Sequence, residues 1–405
     1  MLSMIFSLNT ERHIMHIQEI KHCFHQHKPI LLYDPKRENE VDFVIPNTCI
    51  HESTLNFMLQ YGKGLLCCAI DQDVLLKKGF FPLPSNHKDS LSTNFFIPVD
   101  HHSVNTGIST KDRITTLHSL AQLKSIKDYI YPGHISLLGG IGLNKRKGHT
   151  EAALELCELT DYPRIVTIIE LLDQRGESHS ISYAKAIAND FQLPFCSIQD
   201  VFTQSIQHKS YMKMVNRANL PTEYGNFVIV GFENQLDTRE HFALVKGDVT
   251  TGEVLVRIHS ECATGDVFHS RKCDCRDQLV NSMILLEQAQ SGVIIYLRQE
   301  GRDIGITDKI KAYALQERGF DTYDANLQIG HEADERDYAV AAQMIQQLQI
   351  QSVKLITNNP SKIEGLRQYG INVCSVQNVF GSTTEFNQKY LETKVQRFHH
   401  TIPIK

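Results

Sequence analysis

The sequence predicts an α/β (α+β) protein of two layered domains, each with a mixed sheet flanked by helices. Three observations carry that expectation. The chain has 405 residues, more than one hydrophobic core usually serves at roughly 100–200 residues per domain. Short apolar runs alternate with helix-period segments in both halves. Around 200–222 the pattern weakens into TQSIQHKSYMKMVNRANLPTEYGN, a polar stretch that reads as a linker. The expected domains are therefore 1–208 and 209–405.

In the first half, ILLYD (30–34), VDFVI (41–45), GLLCCAI (64–70), NFFIPV (94–99) and RIVTIIELL (164–172) read as strands. Segments 52–61, 110–123, 150–159 and 181–191 read as helices, the second capped by Ser109 or Thr110. The second half restarts with strands at FVIVGF (227–232), HFALVKGDV (241–249) and VLVRIH (254–259). A helix at 276–290, a buried strand VIIYLR (293–298), helices at 304–317 and 335–348 and a strand VKLIT (353–357) complete it. There is no internal repeat and no low-complexity segment.

Hydrophobic residues make up 41% and charged residues 21%, so both halves can bury a core. A net charge of -5 without a basic stripe argues against nucleic-acid binding. No apolar run is long enough for a membrane span. The start MLSMIF lacks the basic n-region, long h-region and cleavage site of a signal peptide, so a cytoplasmic protein is expected. Ten cysteines in such a chain have no need to pair. Cys23, Cys49, Cys157, Cys196 and Cys374 read as buried small residues, and Cys67 and Cys68 sit in a buried strand.

Only Cys262, Cys273 and Cys275 form a constellation, in RIHSECATGDVFHSRKCDCRDQL. Zinc takes soft thiolates in a tetrahedral shell, and three of them leave a fourth position for water, whose pKa falls toward ~7. Glu261, Asp266, His269 and Asp274 are polar neighbours suited to a functional site. A structural site completed by His259 or His269 is the alternative, and spacing alone leaves the two evenly poised.

The next block, YLRQEGRDIGITDKIKAYALQERGFDTYDAN, begins where a buried strand ends, the usual place for ligands in α/β sheets. Glu300-Gly301-Arg302 then meets a helix start, which with Arg302 suits a phosphate, although a lone EGR is more often a solvated turn. Lys309 and Tyr313 are four apart and share a helix face. In HEADERDYAV, Asp334 and Arg336 are read at a helix start, where acidic capping is the commoner explanation. In LITNNPSK, Thr357 and Lys362 fall on a turn after a strand.

Together, from about 212 to 398 and including the closing YLETK (390–394), these blocks resemble GTP cyclohydrolase II of riboflavin biosynthesis. The resemblance implies zinc on Cys262, Cys273 and Cys275, activating water against C8 of guanine. It places Arg257, Ile258, His259, Ser260, Glu261, Gln278, Glu300, Gly301, Arg302, Thr322, Thr357 and Lys362 around GTP. Asp334 matches the family's general base, Tyr313 a tyrosine assisting ring opening, and Arg336 a nucleophile linked to pyrophosphate release. An arginine, with a pKa above ~12, is equally read as a charge stabiliser. Asp308 and Arg276 stand where Asn and Gly are common.

In the first half, YDPKRENEVDFVIP crowds Arg37, Glu38, Asn39, Glu40 and Asp42 into one turn, a magnesium-binding composition that is also ordinary for a solvated loop. KRKGHTEAALEL places Arg146 and Lys147 before Gly148-His149-Thr150 at a helix start, suiting a phosphate or merely a capped helix. Glu170 ends a buried strand. From about 12 to 205 these features resemble 3,4-dihydroxy-2-butanone 4-phosphate synthase. By resemblance, Mg²⁺ or Mn²⁺ binds Glu38 and His149. Arg37, Asp42, Arg146, Lys147, Gly148, His149, Thr150 and Glu170 hold ribulose 5-phosphate. Glu170 also acts in catalysis with His134 of PGH, and Cys67, Thr106 and Asp112 match further site positions.

Four stretches depart from that family. Val41 replaces the glycine of RENEGD, ISLLGG (135–140) replaces a Pro-Leu-Arg, LDQRGESHS (172–180) replaces an acidic segment, and SNHKDSLSTNF (85–95) is unusual. If position 41 needs a positive φ, a β-branched residue is costly there. The expected protein is a bifunctional, zinc- and magnesium-dependent enzyme, expected as a homodimer from the family, with GTP and ribulose 5-phosphate as its small-molecule partners. Two other readings stand beside it: a GTP cyclohydrolase II with a degenerate first domain, and a zinc-stabilised GTP-binding regulatory module.

Overall fold

The structure is a computed structural model that describes residues 16–84, 93–178 and 181–403. The expectations for MLSMIF, for 85–92 of the SNHKDSLSTNF stretch and for the end of LDQRGESHS lie outside these residues. The chain divides after Ser205 into two compact units. Both are mixed sheets flanked by helices, as expected. Among the described residues, no helix is long and apolar enough to cross a membrane.

The first unit holds strands β1 (Ile30–Tyr33), β2 (Val41–Pro46), β3 (Cys67–Asp71), β4 (Phe95–His101), β5 (Tyr129–Gly140), β6 (Ile165–Glu170) and β7 (Phe195–Ser197). They form one sheet in the order β4-β5-β3-β6-β2-β1-β7. β3 with β5 and β1 with β7 run parallel, and the remaining neighbours antiparallel. β2 is buried along its whole length, which explains why VDFVI reads as a nearly continuous apolar run rather than an alternating one. Helices Glu52–Gly62, Thr110–Ala121 and His149–Leu159 pack on this sheet. Ser109 caps the second by accepting from the Asp112 N–H. The register sets Asp42 opposite Glu170.

The second unit holds β8 (Met212–Thr222), β9 (Gly225–Asn234), β10 (Phe242–Lys246), β11 (Glu253–Ser260), β12 (Gly292–Leu297), β13 (Ser352–Ile356) and β14 (Val373–Gln377), in the order β14-β13-β11-β12-β10-β9-β8. β14, β13, β11 and β12 run parallel, and β10, β9 and β8 continue antiparallel. Phe227, Leu244, Ile294, Ile356 and Val379 form a buried cluster with Met283 and Leu286 of helix Cys275–Ala289. The parallel strands β11, β12 and β13 deliver their C-terminal ends to one edge, where such sheets take ligands.

Several expectations need correction. The supposed linker is not one. It holds the end of helix Ile198–His208 and the whole of β8. β8 lies at the sheet margin with most of its side chains exposed, so it carries no apolar signal. The strand expected from 64 begins at Cys67. β5 was not foreseen, because Pro132 and Gly133 interrupt its sequence and its pairing with β4 is irregular. The helix expected from 335 starts at Ala339, so Asp334 and Arg336 lie in the loop before it. Helices Thr322–Gln328, Pro360–Gln368 and Gln388–Phe398 are additional. All ten cysteines are free, as expected, but Cys374 is exposed rather than buried.

Candidate active sites

At the edge formed by β11, β12 and β13, the second unit opens into a cleft. Cys262 follows β11 directly, while Cys273 and Cys275 lead into helix Cys275–Ala289. Their three sulfurs lie within 4.8 Å of one another, a group able to hold a metal ion. Among the described residues, no His, Asp or Glu joins them as a fourth donor. His259 is engaged elsewhere, 3.1 Å from Asp266, and His269 is exposed.

The backbone is shaped for this group. Gly265 sits under the thiols. A Cβ there would lie 3.0 Å from Cys273 Sγ and 3.2 Å from Cys262 Sγ. Asp266 ties the turn down, accepting from the Cys262 N–H at 3.0 Å and from the Tyr296 hydroxyl at 2.8 Å. Glu300 does the same from the turn after β12, accepting from the Ala263 N–H at 2.6 Å. Lys309 donates to Cys262 Sγ at 3.1 Å, to Thr264 Oγ1 at 3.0 Å and to Glu300 Oε1 at 2.7 Å. Hydrogen bonding from Cys273 and Cys275, with the Lys309 charge beside it, holds the Cys262 thiol well below its ordinary value. Tyr313, one turn beyond Lys309, reaches the Thr264 hydroxyl at 3.3 Å.

The opposite wall is cationic. Arg257 is buried and donates to the Ile356 carbonyl at 3.0 Å and to Gln278 Oε1 at 2.5 Å, leaving its Nε without a partner. Lys362 is buried and donates to the Ile258 carbonyl at 2.7 Å. Among the described residues neither has a carboxylate at ion-pair distance. Burial, followed by the Arg257 and Arg336 charges, pushes the Lys362 ammonium well below its usual range, and burial lowers Arg257 to about 10. Two buried cations lacking a counter-ion make a site for an anion.

Arg336 clasps Asp334 through Nε at 2.7 Å and through Nη2. Burial opposes the Arg336 charge, but Tyr338 and Asp334 outweigh it and raise the guanidinium above its ordinary value. Asp334 is held as a carboxylate by Arg336 and Arg302 against its own burial.

The expected residues Arg257, His259, Ser260, Glu261, Gln278, Glu300, Gly301, Arg302, Tyr313, Thr322, Arg336, Thr357 and Lys362 all line the cleft with the three cysteines. Ile258 does not. Its side chain is fully buried within β11, and only its carbonyl serves the site. Asp334 stands behind Arg336.

Sequence reasoning missed three features of this cleft. One is the buried pair of Lys394 with Asp274, 2.6 Å apart. Another is the Lys309 relay. The third is the wall formed by Asn358, Tyr390 and His400. Tyr390 and Lys394 belong to the YLETK motif, which carried the only signal for that wall.

In the first unit, Asp34, Glu38 and His149 bring their ligand atoms within 4.8 Å of one another. His149 Nδ1 meets Glu38 Oε2 at 2.9 Å, while His149 Nε2 and Asp34 Oδ2 are buried without a partner. That donor set, oxygens with one imidazole, suits a hard divalent cation. Sequence reasoning missed Asp34, which follows β1 and accepts the N–H groups of Lys36 and Arg37 at 3.0 and 3.1 Å. Asp42 is buried with Oδ1 unpartnered, and burial pushes it up to about 7. Burial lowers the His149 imidazole, but Asp42 and Glu38 outweigh it and lift the ring to about 9. Glu170 accepts from the Leu65 N–H at 2.7 Å and is raised by burial.

Arg37 reaches the Lys147 carbonyl at 3.4 Å. Arg146 is occupied by Glu151 at 2.7 Å and by Thr93 at 3.0 Å, beside Gly148, which caps the helix carrying His149 and Thr150. Val41 opens β2 in ordinary strand backbone, and Asn39 takes the positive φ of the turn instead (55°), so the valine carries no strain. ISLLGG is a core strand segment rather than a drifted loop.

His134 belongs to a separate pair, with Nδ1 2.6 Å from Asp100 Oδ2. Its strand, β5, stands two strands from β6, which ends in Glu170, and three from β2, which carries Asp42. The Gly107 N–H donates to Asp112, and Cys67 is buried in β3.

The profile of the GTP cyclohydrolase II family matches residues 213–380, and that of the 3,4-dihydroxy-2-butanone 4-phosphate synthase family matches residues 18–204. The riboflavin biosynthesis protein RibBA of Thermotoga maritima is 45% identical over 386 residues, covering 95% of this chain and 98% of its own. RibBA of Bacillus cereus is 41% identical over 379 residues, covering 92% and 95%. A solved two-domain 3,4-dihydroxy-2-butanone 4-phosphate synthase from A. baumannii, RibBX, covers 91% of this chain and 100% of its own, with a TM-score of 0.66 and 23% identity, a likeness of fold.

Proposed function

Because the chain belongs to the RibBA family of bifunctional riboflavin biosynthesis proteins, we propose that its two clefts divide the labour residue by residue as follows. The enzyme is a GTP cyclohydrolase II and a 3,4-dihydroxy-2-butanone 4-phosphate synthase in one chain. The first activity converts GTP to 2,5-diamino-6-(5-phosphoribosylamino)pyrimidin-4(3H)-one, formate and pyrophosphate. The second converts ribulose 5-phosphate to 3,4-dihydroxy-2-butanone 4-phosphate and formate.

In the second unit, Cys262, Cys273 and Cys275 hold zinc, which supplies the Lewis acidity for water attack at C8 of guanine. Lys309 neutralises the thiolate cluster and fixes the Cys262–Glu300 arrangement. Tyr313, on the same helix face, hands a proton to the opening imidazole ring in this reading. Arg257 and Lys362 receive the triphosphate, whose charge restores the balance that burial withholds from them. Arg336, held protonated beside Asp334, acts as a fixed cation on the phosphate chain rather than as a nucleophile. The observation that carries this reading is the pairing of an open three-thiol group with two unpaired buried cations in one cleft.

In the first unit, Glu38 and His149, joined by Asp34, hold Mg²⁺ or Mn²⁺, which polarises the sugar's oxygens. Asp42, pushed up to about 7 by burial, and Glu170, also raised by burial, are the carboxyl groups that exchange protons with the sugar. Arg37, Lys147, Gly148 and Thr150 border the phosphate, and Arg146 shapes that wall through Glu151. The assembled metal group, with Asp42 and Glu170 in adjacent register, favours an active domain over a degenerate one. A homodimer is supported by the exposed apolar residues Phe81, Leu83, Phe95, Ile130 and Tyr131 of this unit.

The test is one preparation assayed with both substrates in the presence of zinc and magnesium. Formate and pyrophosphate should appear with GTP, and formate with ribulose 5-phosphate. A folded, zinc-loaded sample that releases no formate from GTP contradicts the second-unit assignment. Release from GTP alone contradicts the first.

A further inference from the structure

The last helix, Gln388–Phe398, turns one face toward the GTP cleft. Tyr390 and Lys394 are one turn apart on it and both line the cavity. Phe398, a further turn along, carries the Arg302 guanidinium on its ring at 3.9 Å. Beyond Phe398 the chain leaves the helix through His399, which takes a left-handed backbone (φ 54°). The next residue, His400, lines the cleft.

Two anchors fix its place. The His400 N–H closes the helix end on the Lys394 carbonyl at 3.0 Å, and the Thr401 N–H binds the Asn358 carbonyl at 3.0 Å. Asn358 is buried in the turn that carries Thr357 and Lys362. Its Oδ1 accepts from Asn378 at 3.0 Å, and Asn378 also donates to the Thr401 hydroxyl at 2.9 Å. The tail is thereby tied to the turn assigned to the phosphates.

Within this frame His400 Nδ1 is buried without a hydrogen-bond partner. A buried polar atom lacking a partner is costly, and one on a ring that lines a ligand cleft is explained when the ligand completes it. The groups whose charges act on the ring are Lys394, Arg336, Lys362 and Arg302. With burial, they push the imidazole down to about 3, so it is neutral at physiological pH. A neutral imidazole can donate a hydrogen bond without adding to a surplus of positive charge.

We infer that His400 is a substrate-binding residue whose ring donates a hydrogen bond to the phosphate chain of GTP, making the segment after the last helix part of the nucleotide site. The inference rests on the assignment of Arg257 and Lys362 to the triphosphate.

The experiment compares the full-length zinc enzyme with His400→Phe, His400→Gln and Lys362→Met. The phenylalanine keeps a ring and removes its donors, whereas glutamine keeps a neutral donor. Loss of a hydrogen bond to an ionised phosphate should raise KM for GTP about 10- to 100-fold in His400→Phe, with kcat within about threefold. His400→Gln should recover most of the loss. The inhibition constant of guanosine, which has no phosphate, should not move. An unchanged KM in His400→Phe alongside a raised KM in Lys362→Met overturns the His400 inference alone. A guanosine constant that rises in step with KM also overturns it, since the tail would then act on the whole cleft. Unchanged KM in both variants removes the underlying phosphate assignment as well. If the phenylalanine variant misfolds, His400→Ala takes its place under the same criteria.

Discussion

Lys309 places its ammonium 3.1 Å from the Cys262 sulfur, joining the three-thiol cluster to the helix that carries Tyr313. It is buried, and the charges of Cys262, Tyr313 and Glu300 raise it above its ordinary value against the effect of burial. Removing the charge in Lys309→Met should weaken zinc binding and GTP turnover by about 10- to 100-fold each, the usual effect of losing a partner behind a metal ligand. Chelator competition and formate release measure the two. Unchanged zinc affinity would show that Lys309 serves only the packing.

Gly265 gives a second handle that touches no ligand atom. A methyl group in Gly265→Ala would press on Cys273 Sγ and Cys262 Sγ at 3.0 and 3.2 Å. Zinc affinity should fall by about 10-fold or more while the thiol count stays the same. Full affinity in the alanine variant would mean that the thiols do not converge on an ion there.

Asp42 predicts a pH dependence of stability in the first unit. Its carboxyl is pushed up to about 7 in the fold, against roughly 3.9 in an unfolded chain. Between those values the unfolded state gives up the proton while the native state keeps it. The contribution of Asp42 is therefore full below pH ~4, falls as pH rises toward ~7 and stays low above that. In metal-free protein, Asp42→Asn should raise the unfolding temperature at pH 8 and leave it nearly unchanged at pH 4, while abolishing ribulose 5-phosphate turnover. Calorimetry at both pH values checks this, and a fall in Tm at pH 8 would contradict it.

His331 predicts a pH dependence in the second unit. Both ring nitrogens lie 2.9 Å from carboxylates, Asp308 and Glu335, an arrangement that the imidazolium, with two donors, satisfies in full. Asp308 first, then Glu335, raises it. This contact fastens the loop bearing Asp334 and Arg336 to the start of helix Gly305–Gln316. The tie holds below the ordinary histidine value and is lost as pH rises through the raised one. Asp308→Asn should move the alkaline decline of kcat for GTP toward neutral pH. An unmoved profile would show that the loop does not need the ion pair.

Much of this was legible in the sequence, for identifiable reasons. Buried strands such as β2, β6 and β12 announce themselves as apolar runs, and Ser109 names its own helix start. The three cysteines are a sulfur donor set with few other uses. What escaped depends on pairings far apart in the chain. β8 is polar because most of its side chains face solvent, and it becomes a strand only through its ladder with β9. Asp274 and Lys394 are 120 residues apart and form a pair only in the fold. Asp34 looks like a turn residue, which it also is, and its free oxygen beside Glu38 and His149 appears only in three dimensions. His134 was expected in catalysis by resemblance, and its partner Asp100, 34 residues away, appears only in the fold.

One chain carries two formate-releasing activities, one assigned to each unit. The most direct measurement is formate release by Cys273→Ser from GTP and, separately, from ribulose 5-phosphate. Release from GTP should fall to background with zinc lost, while release from ribulose 5-phosphate stays at the parent rate. Loss of both reactions, or retention of GTP turnover without the thiol, would contradict it.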